Sequence, residues 1–344
     1  MTLAIPTVFA TQADKTDPVA NLDTNLSTIA AYINIRELTF GLLANRPAAG
    51  TASRGYFATD VNGGTLYGDN GVAWVQMTPG VSQTAYANQF TGLVLSNDAG
   101  TPNTVLDIAA GAASSNDATV ANRVLMVLTA AFTKTTAAWV VGTGNGGLAT
   151  GVAVANSTTY HVFLIQRTDT GVVDIAFDTS VTGANIAANT NANYTKLQSI
   201  GFFRTDGAAA IVPFFQYFDE FYLKTPVLDW DSGLNPGTAT ITVTLASLPI
   251  GKKVRALLNV FSDDSSSAHA LYLSSLDVTD VAASLTAAPL GTVAAAGSSA
   301  NYGGGPYGIW TNTSAQIRAR HSASAANDRS RAATLGCVYP RGSG

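Results

Sequence analysis

Thr159-Tyr-His-Val-Phe-Leu-Ile-Gln-Arg167 and, after a polar Thr-Asp-Thr-Gly break, Val172-Val-Asp-Ile-Ala-Phe177 decide the fold class. Both runs are short and rich in Val, Ile, Phe and Tyr, residues that suit a pleated, half-buried surface. Strands are expected over Tyr160–Gln166 and Val172–Phe177. The same signature recurs on either side, at Val105–Ile108, Arg123–Leu128, Ala138–Val141, Leu197–Arg204 and Ile211–Phe218. Further on, Thr238–Leu245 alternates polar and apolar residues, the pattern of a strand with one buried face. Val254–Phe261, Ala270–Leu276, Gln316–Ala319 and Ala333–Val338 complete the series. Regular short strands with turn residues between them predict sandwiches or barrels. No repeat of fixed period is present, which disfavours propellers and solenoids.

Composition narrows the function. The 344 residues are 47% hydrophobic but only 12% charged, against about 25% charged in a typical soluble domain. A disordered chain is excluded, because hydrophobicity is ordinary and net charge is low. Lys and Arg number 18 against 22 Asp and Glu, for a net charge of −4, so the basic excess of a nucleic-acid binder is missing. The single thiol, Cys337, allows no intrachain disulfide and reads as a small core residue. No apolar run approaches the ~20 residues of a membrane-spanning helix. The start, Met1–Ala10, lacks a basic region and carries Pro6, so a signal peptide is not expected.

Five segments are expected: an extended anchor (1–16), a helix (17–45), a linker with a small meander (46–84), and two β-sandwich or jelly-roll-like domains (85–230 and 231–344). The helix would start at Asp17 as N-cap, with Pro18 in the first position. Val19, Leu22, Leu26, Ile29, Ile33 and Phe40 follow at alternating steps near three and four, the seam of a coiled coil. A helix packed on its own domain is the alternative. Arg46-Pro-Ala-Ala-Gly50 reads as the linker. Tyr56–Thr59, Thr65–Tyr67 and Ala73–Met77 then form a meander around Asn-Gly turns, too small for a core of its own. Pro226 and Asp229–Gly237 mark the boundary between the two larger domains.

No catalytic constellation is legible. Gly142-Thr-Gly-Asn-Gly-Gly147 matches G-x-G-x-x-G, but no helical stripe follows, so a glycine-rich β-turn is expected rather than a nucleotide site. Carboxylates could serve glycan cleavage, yet Asp219, Glu220, Asp229, Asp231, Asp174 and Asp178 show no pairing in sequence and read as turn-formers or solvated edge charges. His161, His269 and His321 lack metal-ligand spacing, and His161 is expected to be structural. Asp263-Asp-Ser-Ser-Ser267 lacks a calcium-loop pattern and reads as a polar hairpin tip. No cofactor or metal is expected.

Two features suggest binding. Tyr302-Gly-Gly-Gly-Pro-Tyr307-Gly-Ile-Trp310 places three aromatics in what reads as a glycine-rich loop, suited to sugar faces or to packing. The last 27 residues hold Arg318, Arg320, Arg329, Arg331 and Arg341 against Asp328 alone. That is an excess of four positive charges, leaving −8 on the first 317 residues. Such a tip would favour anionic polysaccharide or lipopolysaccharide, unless the arginines pair across subunit interfaces.

Two stretches resemble known proteins. Gly55-Tyr-Phe-Ala-Thr-Asp60, Thr65-Leu-Tyr-Gly-Asp-Asn-Gly71 and Ala73-Trp-Val75 resemble a small β-motif of tailed-bacteriophage tail fibres. Trp139-Val-Val-Gly-Thr-Gly-Asn-Gly-Gly-Leu148, Thr159–Arg167, Val173-Asp-Ile-Ala-Phe-Asp-Thr-Ser180, Ile200-Gly-Phe-Phe-Arg-Thr-Asp206 and Lys224-Thr-Pro-Val-Leu-Asp229 resemble a tail-fibre domain. Together they cover about a third of the chain, and residues beyond 238 match nothing known. The resemblance implies a non-enzymatic homotrimer on the virion. Its N-terminal segment would hold a phage tail or baseplate protein, and its tip would meet host-surface polysaccharide or lipopolysaccharide. No nucleic acid and no membrane insertion are expected. The rival readings are a tailspike-like glycan depolymerase and a head-fibre or collar decoration protein.

Overall fold

A computed structural model of the chain describes residues 37–59, 65–76, 89–186, 193–264, 269–282, 292–295, 301–323 and 328–342. The chain forms two compact units that divide after Gln83.

In the first unit, β1 (Glu37–Gly41) runs parallel to β2 (Arg54–Ala58), and β2, β3 (Thr65–Asp69) and β4 (Trp74–Gln76) form an antiparallel meander. The meander is therefore present, but the helix expected over 17–45 does not reach its proposed end. Glu37-Leu-Thr-Phe-Gly41 is a strand, because pairing with β2 outweighs the heptad-like spacing of a short segment rich in β-formers. Phe40, placed on the seam by its spacing, is 67% exposed in β1 with its ring 5.9 Å from Phe57. Val19, Leu22, Leu26, Ile29 and Ile33, like the anchor 1–16, lie outside the described residues.

The supposed linker packs on the meander. Trp74 donates its indole N–H to the Pro47 carbonyl (2.7 Å), and Gly50 and Thr51 donate backbone N–H groups to the Asp69 carboxylate. Burial opposes ionisation of Asp69. Arg54 (2.5 Å) and the N–H groups of Gly71, Thr51 and Gly50 outweigh that effect and hold its pKa near 2.

Along its described length the second unit is strand and turn, apart from a 3-10 helix at Val120–Asn122 and a helical turn at residues 184–186. Its first half contains β5 (Phe90–Gly92), β6 (Leu95–Asn97), β7 (Val105–Ile108), β8 (Gly111–Ser114), β9 (Leu125–Leu128), β10 (Phe132–Ala138), β11 (Asn145–Leu148), β12 (Thr159–Gln166), β13 (Val173–Asp178), β14 (Lys196–Arg204), β15 (Phe214–Tyr217) and β16 (Glu220–Asp231). Its second half contains β17 (Ile241–Thr244), β18 (Arg255–Asp264), β19 (His269–Ser274), β20 (Thr292–Ala295), β21 (Asn301–Trp310), β22 (Gln316–His321) and β23 (Arg329–Val338). Three main sheets result, in the orders β14-β12-β13-β11-β10-β7-β6, β15-β16-β23-β18-β21 and β17-β22-β19-β20, with β5-β8-β9 as a smaller fourth.

The mainly-β expectation holds, but the boundary at residue 230 does not. β16 runs through Pro226 to Asp231 and pairs along its length with the C-terminal strand β23. The register shifts between Tyr222 and Val227, which accommodates a proline that has no N–H to give to the ladder. One core joins the expected halves: Leu95, Phe177, Phe203, Phe221, Trp230, Ile317 and Tyr339 belong to the same buried cluster.

The glycine-rich turn has a packing origin. β10 and β11 are parallel neighbours, with Lys134 opposite Asn145, yet only six residues connect them. The chain folds straight back, so Trp139 N–H bonds the Leu148 carbonyl and Val140 N–H bonds that of Gly146. A Cβ on Gly146 would lie 1.9 Å from the Ala138 carbonyl oxygen. Beneath this return Lys134 is fully buried, its ammonium 2.9 Å from Asp174 and 2.7 Å from the Val140 carbonyl oxygen. Asp174 also accepts the Gly142 N–H at 2.7 Å. Asp174 and Asp178 are thus buried rather than solvated: Asp178 accepts N–H groups of Ser180, Asn185 and Ile186. Burial lowers the Lys134 pKa, and the Asp174 charge opposes that shift.

Breaking such a buried pair leaves one uncompensated charge, at a cost of about 3–5 kcal/mol. Asp174→Ala is expected to lose that much stability in urea unfolding. The paired replacement Lys134→Met with Asp174→Leu is expected to lose clearly less.

Candidate functional site

One face of the second unit holds a shallow groove of about 580 Å³. Its walls come from five places in the chain. Val181 and Thr182 follow β13, Gly251 to Lys253 precede β18, Asp277 follows β19, and Trp310 and Thr313 end β21 and its loop. Pro340, just after β23, completes it.

A buried polar chain holds the floor. His161 Nε2 lies 3.1 Å from the Ile250 carbonyl oxygen, which can only accept, so Nε2 carries the proton. Nδ1 therefore accepts from the Tyr339 hydroxyl at 3.1 Å, and that oxygen accepts from Ser199 at 3.0 Å. This line ties β12 and β14 to the loop before β18 and to the C-terminal segment. Burial is the main cause that lowers the His161 pKa to about 4, aided by the nearby Lys252 charge and opposed by the Ile250 bond and Asp178. His161 is thus a structural residue, as its neighbours in sequence suggest. Gly251, next to that carbonyl, has φ +89°, and a Cβ there would press on Val181 at 3.3 Å.

Two lysines and one exposed ring give the groove its chemistry. Lys252 is buried and places its ammonium 4.7 Å from the centre of the Tyr339 ring. Burial brings its pKa down to about 8, against the pull of Asp219. Lys253 is exposed and pairs with Asp277 at 2.6 Å. Trp310 is 47% exposed at the rim. An open indole face beside ammonium groups and the Thr182 and Thr313 hydroxyls can stack an apolar ring face and bind an anionic substituent.

The residues singled out by sequence are not gathered in one place. Tyr302, Tyr307 and Trp310 lie in strand β21, paired along its length with β18, and not in a loop. The glycines permit that extended pairing but hide it from side-chain periodicity. Tyr307 is half-buried and packs with Ile309 against the core, whereas Trp310 lines the groove. Tyr302 sits opposite Asp263, eight residues from Trp310 along the strand. Arg318 and Arg320 lie on another sheet, in β22, where Arg320 meets Asp280 at 2.6 Å and Arg318 donates to the Val278 carbonyl at 2.6 Å. The remaining arginines also face carboxylates: Arg329 and Arg331 at Asp231, and Arg341 at Asp219 (3.2 Å). The C-terminal positive excess is therefore largely matched within the chain.

Lys252, Lys253, Asp277 and Thr313 were missed, because no motif joins residues that meet only in the fold. Cys337 is fully buried and its thiol pKa is pushed up, in line with a core role. Among the described residues, no three of His, Cys, Asp and Glu gather as a metal site, and no helix is long and apolar enough to cross a membrane. Comparison with protein-family models and with curated proteins returns no match.

Because the folded His161 pKa lies below its ordinary 6.5, the native state binds fewer protons than the unfolded chain. Its contribution to stability is present above pH 6.5 and is lost as pH falls towards 4, by on the order of 3 kcal/mol. In urea unfolding, the stability difference between the natural chain and His161→Gln is expected to shrink across that window.

Proposed function

We propose that the chain is a structural subunit of a bacteriophage tail fibre that acts as a homotrimer and binds anionic host-surface polysaccharide or lipopolysaccharide without cleaving it. The observation that carries the binding reading is the exposed Trp310 at the rim of an open groove floored by Lys252 and edged by Lys253. A sugar ring stacks on the indole, and its carboxylate or phosphate sits towards the lysines. The order and spacing of the fibre-like stretches in 55–77 and 139–228 support the virion assignment. A chain that is only 12% charged has surfaces that can be buried between copies at low desolvation cost. Three groove sites per particle of fibre would raise avidity well above the affinity of one.

Light scattering of the full chain on a sizing column is expected to give about three times the chain mass, and a monomer would overturn the assembly. Trp310→Ala is expected to weaken binding of labelled protein to host cells and to purified lipopolysaccharide about tenfold per site, roughly 1.4 kcal/mol. Binding should also fall between pH 7 and 9 as Lys252 loses its proton near pH 8, and Lys252→Met should abolish that pH dependence. Release of oligosaccharides during the assay would favour the depolymerase instead.

A further inference from the structure

The sheet β15-β16-β23-β18-β21 has one face in the core and a second face that the described residues of this unit leave open. Ladder register places the residues of that outer face in rows. In one row, Tyr217, Glu220, Val338, Arg255 and Trp310 stand side by side on consecutive strands. In the next, Phe215 stands opposite Tyr222, stacked at 5.2 Å between ring centres, and Leu257 lies across Gly336. Tyr217 is 65% exposed, and Leu228, two rows on, is 56% exposed. Phe218 at the tip of the β15–β16 hairpin is 86% exposed and holds φ +50°, a conformation that favours Gly or Asn over an aromatic residue. A cluster of aromatics kept in water, one of them at a backbone cost, marks a contact surface.

Charge identifies the occupant. Glu220 and Arg255 flank the central strand β23 on opposite sides of Val338. Among the described residues neither makes an ion pair. Glu220 instead accepts the Tyr222 hydroxyl at 2.8 Å, and the Arg255 guanidinium lies over Gly308. The half of the face on β15–β16 thus carries the aromatic cluster and Glu220, with Lys224 exposed further along β16, and the half on β18 carries Arg255. A rotation axis parallel to β23 brings the first half of one copy against the second half of the next, in a pair or in a closed ring. We propose that this outer face is the contact between copies of the chain, with Glu220 of one copy paired to Arg255 of its neighbour. The proposal rests on the self-association in the reading above.

The test is cysteine cross-linking of the full-length protein carrying Glu220→Cys and Arg255→Cys together. Within one copy the two positions are two strand spacings apart, about 9–10 Å, too far for the roughly 7 Å limit of a disulfide. Mild oxidation is therefore expected to give covalent oligomers on a non-reducing gel, and neither single substitution should do so. An assembled protein whose double variant stays uncross-linked would overturn this face as the contact while leaving self-association intact. A monomer by light scattering would overturn both.

Discussion

The second unit depends on the placement of β23 between β16 and β18. Its alternating residues Ser330, Ala332 and Thr334, then Cys337, point into the core, and the polar ones find partners there. Ser330 meets Ser262 and His321, each at 2.9 Å, and Thr334 donates to Asp229 at 2.6 Å. Buried hydroxyls with partners cost little, whereas unpartnered ones would carry the full desolvation penalty. Because β16 lies more than a hundred residues earlier in the chain, the sheet closes only when the last strand is available. Such non-local pairing is slow to form but, once made, binds both halves into one core. The floor of the groove hangs from the same strand, since Tyr339 directly follows it.

A second constraint comes from the small number of charges. Where they occur, they are used to fix backbone rather than to decorate the surface. Lys134 and Asp174 hold the return between β10 and β11, and Asp69 organises the turns before β2 and after β3. Most of the C-terminal arginines face aspartates. What remains for recognition is then local: an exposed indole with two lysines at the groove, and an aromatic sheet face that carries Glu220 and Arg255 on either side of β23. The groove suits a small polar ligand, and the flat face suits a large partner. The two proposals therefore use different physical means on adjoining parts of the same sheet.

Strands with a strong side-chain pattern were legible in sequence. Val105–Ile108 agrees with β7 in both ends, and Tyr160–Gln166 and Leu197–Arg204 differ from β12 and β14 by one residue at the start. These segments are buried on one or both faces, so their composition reports their setting directly. β10, β11 and β21 were not legible. Phe132-Thr-Lys-Thr-Thr-Ala-Ala138 looks polar because its lysine is neutralised from another strand, and Asn145–Leu148 and Asn301–Trp310 are strands by virtue of their neighbours' backbones. Of the candidate binding residues, Trp310 alone was both read from sequence and placed on the groove.

By itself, then, the sequence determined the mainly-β class, the meander, and the structural character of His161 and Cys337. Each rests on local information: side-chain type, short-range alternation and turn residues. Only the tertiary structure decided that one buried cluster runs from Leu93 to Tyr339, that Glu37–Gly41 is a strand, and that the terminal arginines are matched by distant aspartates. It alone brought Lys252, Asp277 and Trp310 to one groove, and set Glu220 and Arg255 on either side of β23. Those outcomes depend on strand pairing between segments far apart in the chain, and pairing of backbone N–H and C=O groups leaves no mark on the order of side chains.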